Sequence, residues 1–322
     1  MAACGRANFD DLAWPAVERH DSLARFPLLR FIPSFVTATS GAMSSDPMNQ
    51  IDADAFNEFE RRGWAENSTE AYDRVFGPIT RRVVDELLDA AGVGGQTRTL
   101  DLATGPGYVA AAARARGARV LGVDRSPQML DRARQTYPEI DFQEGDAEEL
   151  SLPDASFDAV VANFCLLHVG RPEKMLSELT RVLVPQARTA LTVWGPPDRA
   201  RLFGLIPESL RCAGATTPSE VPDGPNFFRF SSDEAFSQLL SSAGLYKVAV
   251  RTIEFRHHIP DVAHLWNGML HGSVRTRALL ALQSAEARER IQVEFARLLE
   301  PYRAAGGFDV PVCIKLASAQ KA

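Results

Sequence analysis

The stretch LDLATGPGYVAAAA, Leu100 to Ala113, decides the fold. A short apolar strand ends, Gly105 and Gly107 permit a tight turn with close approach of a ligand to the backbone, and a helix follows whose first amides face the same spot. On either side the same texture repeats. Strands are expected at 98–103, 119–123, 140–143, 157–162 and 188–193, separated by helix-length segments at 108–116, 127–137 and 172–183. Ser126-Pro127 is a helix start, serine as cap and proline in the first turn. Strand and helix in such alternation predict a parallel sheet covered on both faces.

Upstream, Phe56 and Phe59, then Tyr72, Phe76, Ile79, Val83 and Leu87, recur at helical steps, and Gly77-Pro78 splits the second run with Pro78 opening a new helix. Glycines between Ala91 and Gly95 end this region. Downstream, prolines from Pro196 to Pro225 mark a loop with one helix near 199–212. Ser231 and Glu234 have capping-box spacing for a helix reaching 243. A strand at 247–255, a helical region at 261–303 and a last strand at 310–317 complete the reading.

Lys and Arg number 35 against 41 Asp and Glu, a net charge of −6, which disfavours a protein built to grip nucleic acid. Cys4, Cys165, Cys212 and Cys313 form no CxxC pair, so zinc and disulfide frameworks are not expected, and a reducing, cytoplasmic setting is. No apolar run is long enough to span a bilayer, so no membrane partner is expected.

The loop alone is ambiguous, because Gly105, Gly107 and Ala110 also fit a dinucleotide fingerprint with Asp124 at the ribose distance. Asp101 would repel a pyrophosphate but suits an ammonium, Pro106 removes a backbone donor, and Gly145-Asp146-Ala147 adds a further acid at the sheet's carboxyl edge. A site ringed by Asp101, Asp124 and Asp146 favours hydrogen-bond donors and positive charge.

With LDLATGPGY, VLGVDRSPQMLDRAR, FQEGDAEELSLPDASFDAVVANFCLLHV and RVLVPQARTALTVW in order, the sequence resembles the small-molecule class I S-adenosylmethionine-dependent methyltransferases, closely from Trp64 to Trp194. The resemblance implies an α/β fold: a Rossmann-like, mostly parallel seven-stranded sheet with helices on both faces, an antiparallel last strand and a helical lid. It further implies S-adenosylmethionine as cofactor, no metal, and a small organic acceptor methylated on O, N or C by direct in-line displacement. Carried over by residue, Asp101 and the loop Ala103, Thr104, Gly105 and Gly107 would hold the methionine part. Asp124 would take the ribose hydroxyls, with Arg125 and Met129 beside the adenine. Asp146 and Ala147 would meet the adenine edge, and Asn163 would lie near the amine and sulfonium. Ala103 stands where the usual loop has its first glycine, and Pro185-Gln186-Ala187 where a Pro-Gly-Gly turn precedes the fifth strand.

Asn163-Phe164-Cys165-Leu166 lacks the signatures of amino-methylating and cytosine-methylating nucleic-acid enzymes, and no catechol-type magnesium acids are present. Specificity is therefore expected outside the core, from Trp64 and Tyr72 in an amino-terminal lid and from His264, Trp266, Met269 and His271 in a second wall. His168, just beyond the fourth strand, is the candidate general base or acceptor-positioning group. The expected organisation is an extension over 1–45, a lid over 46–95, the cofactor core over 96–195, and the rest of the sheet over 196–322 with cap insertions at about 196–230 and 261–303. An NAD(P)-dependent oxidoreductase and a catalytically inactive regulator are the alternative readings.

Overall fold

The computed structural model describes residues 51–66 and 69–322. The extension expected over 1–45 lies outside them.

Helices α1 (Ala53–Glu66), α2 (Thr69–Val75), α3 (Gly77–Thr80) and α4 (Val84–Ala90) come first. The break at Gly77-Pro78 is present, with Pro78 in the first turn of α3, where its missing N–H costs nothing. Then β1 (Arg98–Leu102), α5 (Tyr108–Ala115), β2 (Arg119–Asp124), α6 (Pro127–Thr136), β3 (Asp141–Glu144), β4 (Phe157–Asn163), α7 (Pro172–Val182) and β5 (Leu183–Trp194) alternate. The chain continues through α8 (Arg201–Cys212), α9 (Asp233–Ser242), β6 (Leu245–Ile259), α10 (Val262–His271), α11 (Val274–Ala281), α12 (Ala285–Leu299), β7 (Arg303–Ala304) and β8 (Gly307–Lys321).

Among the described residues the strands form one sheet in the order β3-β2-β1-β4-β5-β8-β6. Strands β1 to β5 are mutually parallel and β8 is antiparallel to both β5 and β6. This is the expected Rossmann-like sheet with its antiparallel last strand, extended by the two-residue β7 beside β8. Strand order reverses between β1 and β4, which makes the space beyond their carboxyl ends the natural ligand crevice.

Burial follows the pleat. In β4, Val160 and Ala162 join a core with Leu176 and Leu179 of α7, while Ala159 and Val161 face Leu87 of α4 and Val109 of α5. Both faces are covered, so β4 reads as a continuous apolar run. A third core gathers α8, α10 and α12 with Val310, Val312 and Ile314 of β8. No helix among the described residues is long and apolar enough to cross a membrane.

Three expectations need correction. The helix expected to be capped by Ser231 is capped by Ser232, whose Oγ accepts from the Ala235 amide at 3.1 Å. Ser232→Ala should therefore cost about 1 kcal/mol in urea unfolding, with Ser231→Ala near neutral. The helical region 261–303 is three helices, broken at Gly272-Ser273 and before Ser284, which caps α12. The fifth strand starts at Leu183 and runs through the expected turn, because Gln186 takes φ 65° as a glycine would and the pairing with β4 shifts register there.

Candidate active site

The loop after β1 curls through left-handed residues: Ala103 at φ 59°, Gly105 at φ 53° and Gly107 at φ 86°. A Cβ at Gly107 would lie 3.0 Å from the Phe142 ring, so both conformation and space call for glycine. Asp101, 1% exposed, braces this curl from below. Its Oδ2 accepts from Thr104 Oγ1 at 2.5 Å and from the Ala110 amide at 2.9 Å. Its Oδ1 is buried without a partner. Burial pushes the carboxyl up to about 7 against those hydrogen bonds. Because the folded value lies above the unfolded one, the favourable protonated state is present below about pH 4 and lost as pH rises through about 7. The unliganded protein should thus lose stability across that window, and Asp101→Asn should flatten the slope in thermal melts taken at several pH values.

At the end of β2, Asp124 is held by two amides, Gly105 N on Oδ2 and Ser126 N on Oδ1, each at 2.8 Å. Burial raises its pKa while the amides oppose the rise. Each oxygen keeps a second lone pair. The turn to α6 is tied by Ser126 Oγ, which accepts from the Met129 amide at 3.4 Å. Arg125 leaves the carboxylate it follows in sequence and pairs instead with Asp146 at 3.1 Å. Asp146 also accepts from the Glu148 amide at 2.8 Å, so its own turn uses it.

β4 ends in strained backbone, Phe164 at φ 59°. The strain is countered by Thr192, whose hydroxyl accepts from the Phe164 amide at 3.0 Å and donates to Asn163 Oδ1 at 2.6 Å. Asn163 Nδ2 reaches the Thr80 carbonyl at 3.0 Å, tying β4 to α3. Phe164 stacks on Trp194 with ring centroids 4.0 Å apart. Cys165 is buried, which pushes its thiol pKa up and leaves it a poor nucleophile.

His168 follows one turn later. Its Nδ1 lies 2.9 Å from Oε2 of Glu60, a carboxylate on α1 with 0% exposure. Trp64 Nε1 donates to the same oxygen at 3.1 Å, and its ring meets the imidazole edge-on at 5.1 Å. Helix α1 is seated by Asn57: its Nδ2 donates to Glu148 at 2.9 Å, and its Oδ1 accepts from the Gly170 amide at 2.7 Å.

These elements line a cavity open to solvent, with ≈ 1110 Å³ of space between its walls and in its mouth. Of the expected cofactor residues, Ala103, Gly105, Asp124 and Arg125 line it, as do Met129, Ala147 and Asn163. Asp101, Thr104, Gly107 and Asp146 do not; the first three shape the loop and the last faces a separate polar cleft. Trp64, Tyr72 and His168 line the cavity. His264, Trp266, Met269 and His271 do not, because α10 spends its inner face on packing: Trp266 meets Phe295 edge-on at 5.5 Å and Met269 is fully buried. The wall they were expected to supply comes from residues 272–276 instead.

Two residues were missed. Glu60 and Arg275 carry no motif, and the one signal for Glu60 was an acid one helical turn from buried Phe56 on an apolar face. Arg275 lies in the cavity wall over the Phe56 ring at 4.4 Å, and burial lowers its pKa. No group of three metal-binding side chains occurs among the described residues.

The residues present suit a cofactor with a ribose: both Asp124 oxygens keep spare lone pairs in the cavity wall, while Asp101 Oδ1, beneath the loop, is buried without a partner. A family model described as a methyltransferase domain matches residues 100–191. The demethylmenaquinone methyltransferase of Thermus thermophilus is 42% identical over 132 residues, 39% of this chain and 58% of that relative's length. Haemonchus contortus phosphoethanolamine N-methyltransferase 2, solved with S-adenosyl-L-methionine, shares the fold at a TM-score of 0.51 and 20% identity, over 83% of this chain and 60% of that one. The Deinococcus radiodurans demethylmenaquinone methyltransferase is 33% identical over 188 residues, 53% of this chain and 74% of its own length. An alignment over so much of a methyltransferase, on a sheet of this order, means that the chain belongs to the class I S-adenosylmethionine-dependent methyltransferases.

Proposed function

We propose that this methyltransferase acts on a small, apolar aromatic acceptor with an ionisable hydroxyl, and that His168 removes the proton. One observation carries the reading. An imidazole fixed through Nδ1 to a buried carboxylate stands in the wall of the cavity that Asp124 also lines, and that wall is otherwise rich in aromatic rings. Trp194 lies between Phe164 and Phe203, at 4.0 and 4.3 Å, and Phe203 continues to Phe76 at 5.5 Å. Such a surface takes a planar ring by stacking and sheds water. Several relatives are named demethylmenaquinone methyltransferases, which supports a quinone-derived ring.

Bound S-adenosylmethionine supplies a methyl group activated by its sulfonium. Asp124 would hold the ribose, the loop that Asp101 braces would carry the methionine part, and Met129 and Ala147 would meet the adenine. Asn163, fixed between Thr80 and Thr192, would stand at the methionine end. Trp64 and Tyr72 on α1 and α2 would close the cavity and exclude water, leaving alignment as the main catalytic task. His168 Nε2 would accept the acceptor's hydroxyl proton. The test is methyl transfer from labelled cofactor to a panel of hydroxynaphthalenes, phenols and primary amines. Turnover of hydroxylated rings is expected; turnover of amines with the hydroxylated rings silent would overturn the acceptor class.

A further inference from the structure

Glu60 is the buried acid that the reading above leaves unexplained. It is 0% exposed, and one of its oxygens, Oε1, has no hydrogen-bond partner. The nearest cation, Arg275 Nε, stands 3.8 Å from that oxygen, too far for a hydrogen bond. Burying a carboxylate so poorly paired is costly, and an apolar residue would serve packing better. What Glu60 does have is Oε2, which takes the Trp64 indole N–H at 3.1 Å and lies 2.9 Å from His168 Nδ1.

A carboxylate offers only lone pairs, so its bond to the imidazole requires a proton on Nδ1. In the neutral ring that leaves the lone pair on Nε2, the nitrogen a base needs. Trp64 restrains the same ring from its edge at 5.1 Å. We infer that Glu60 is a positioning residue that fixes His168 in the Nδ1–H tautomer. The inference rests on His168 acting as the base. Because Glu60 and Trp64 ride on α1, and Asn57 seats α1 against Glu148 and Gly170, the base is assembled only with that helix docked.

The test reads the tautomer directly, by long-range proton–nitrogen correlation spectra of the full chain with S-adenosylhomocysteine, at about pH 9 where an imidazole is neutral. Wild type should show Nδ1–H on His168, and Glu60→Gln and Glu60→Ala should move the ring toward Nε2–H. Wild type already in the Nε2–H form overturns the inference without any variant. On a hydroxynaphthalene that the enzyme turns over, Glu60→Gln should lower kcat at least about tenfold with KM for the cofactor within about twofold. Added to His168→Ala it should do nothing further, whereas additive losses would mark Glu60 as merely structural. A panel silent toward wild type sinks the acceptor class alone, because the tautomer is read without turnover.

Discussion

His168→Ala should lower kcat by about 10²- to 10⁴-fold while the dissociation constant of S-adenosylhomocysteine stays within about twofold. His168 lines the cavity, and its ring is held by Glu60 and Trp64 rather than by a hydrogen bond to the loop after β1 or to Asp124 at the end of β2, which feels it only through space. Removing the ring should spare cofactor affinity and cost only the proton transfer. The loss should shrink for acceptors already ionised at the assay pH, since these need no base. Steady-state kinetics over hydroxylated rings of graded acidity checks this. An intact kcat with a raised acceptor KM would reduce His168 to a binding group, and an unchanged enzyme would remove it from the site.

Asp124→Ala should weaken S-adenosylhomocysteine binding by about 1.5–3 kcal/mol, roughly 10- to 150-fold, the range for hydrogen bonds to a charged group. Both oxygens are already oriented by the Gly105 and Ser126 amides, so the carboxylate meets the ribose without further ordering. The same amides lose their acceptor in the variant, and the loop could loosen. Calorimetry on Asp124→Asn, which keeps one acceptor oxygen, separates the two effects: a full loss there points to the ribose contact, a partial one to the loop. An affinity unchanged in both variants would refute the ribose assignment.

The βαβ alternation from Arg98 to Trp194 was readable because its central strands β1 and β4 are buried on both faces and the turns carry their own punctuation, such as Ser126-Pro127. Local signals of that kind survive in a single sequence. The sites of failure are tertiary. Ser231 and Ser232 both offer a hydroxyl, and only the three-dimensional start of α9 selects the second. His264 and His271 share a helical face by spacing, but α10 sets Gly268 against Val75, which turns the helix away from the cavity. Glu60 and His168 are 108 positions apart, and their meeting depends on how α1 seats, which no periodicity encodes. The non-glycine residues Ala103 and Gln186 adopt left-handed backbone where family resemblance implied glycine, so the expected shape persists without the expected residue.

Strand β8 has a consequence for how the chain assembles. It lies between β5 and β6, pairing Trp194 with Ile314 on one side and Ile253 with Ile314 on the other, and among the described residues β6 has no other neighbour in the sheet. Until residues 307–321 leave the ribosome, the β5 edge stays open and β6 cannot join the sheet at all. Closing so long a loop before any pairing repays it should slow this step of folding. During that interval the unpaired β5 edge is open to pairing with other chains, so substitutions that weaken β8 should lower yield in cells.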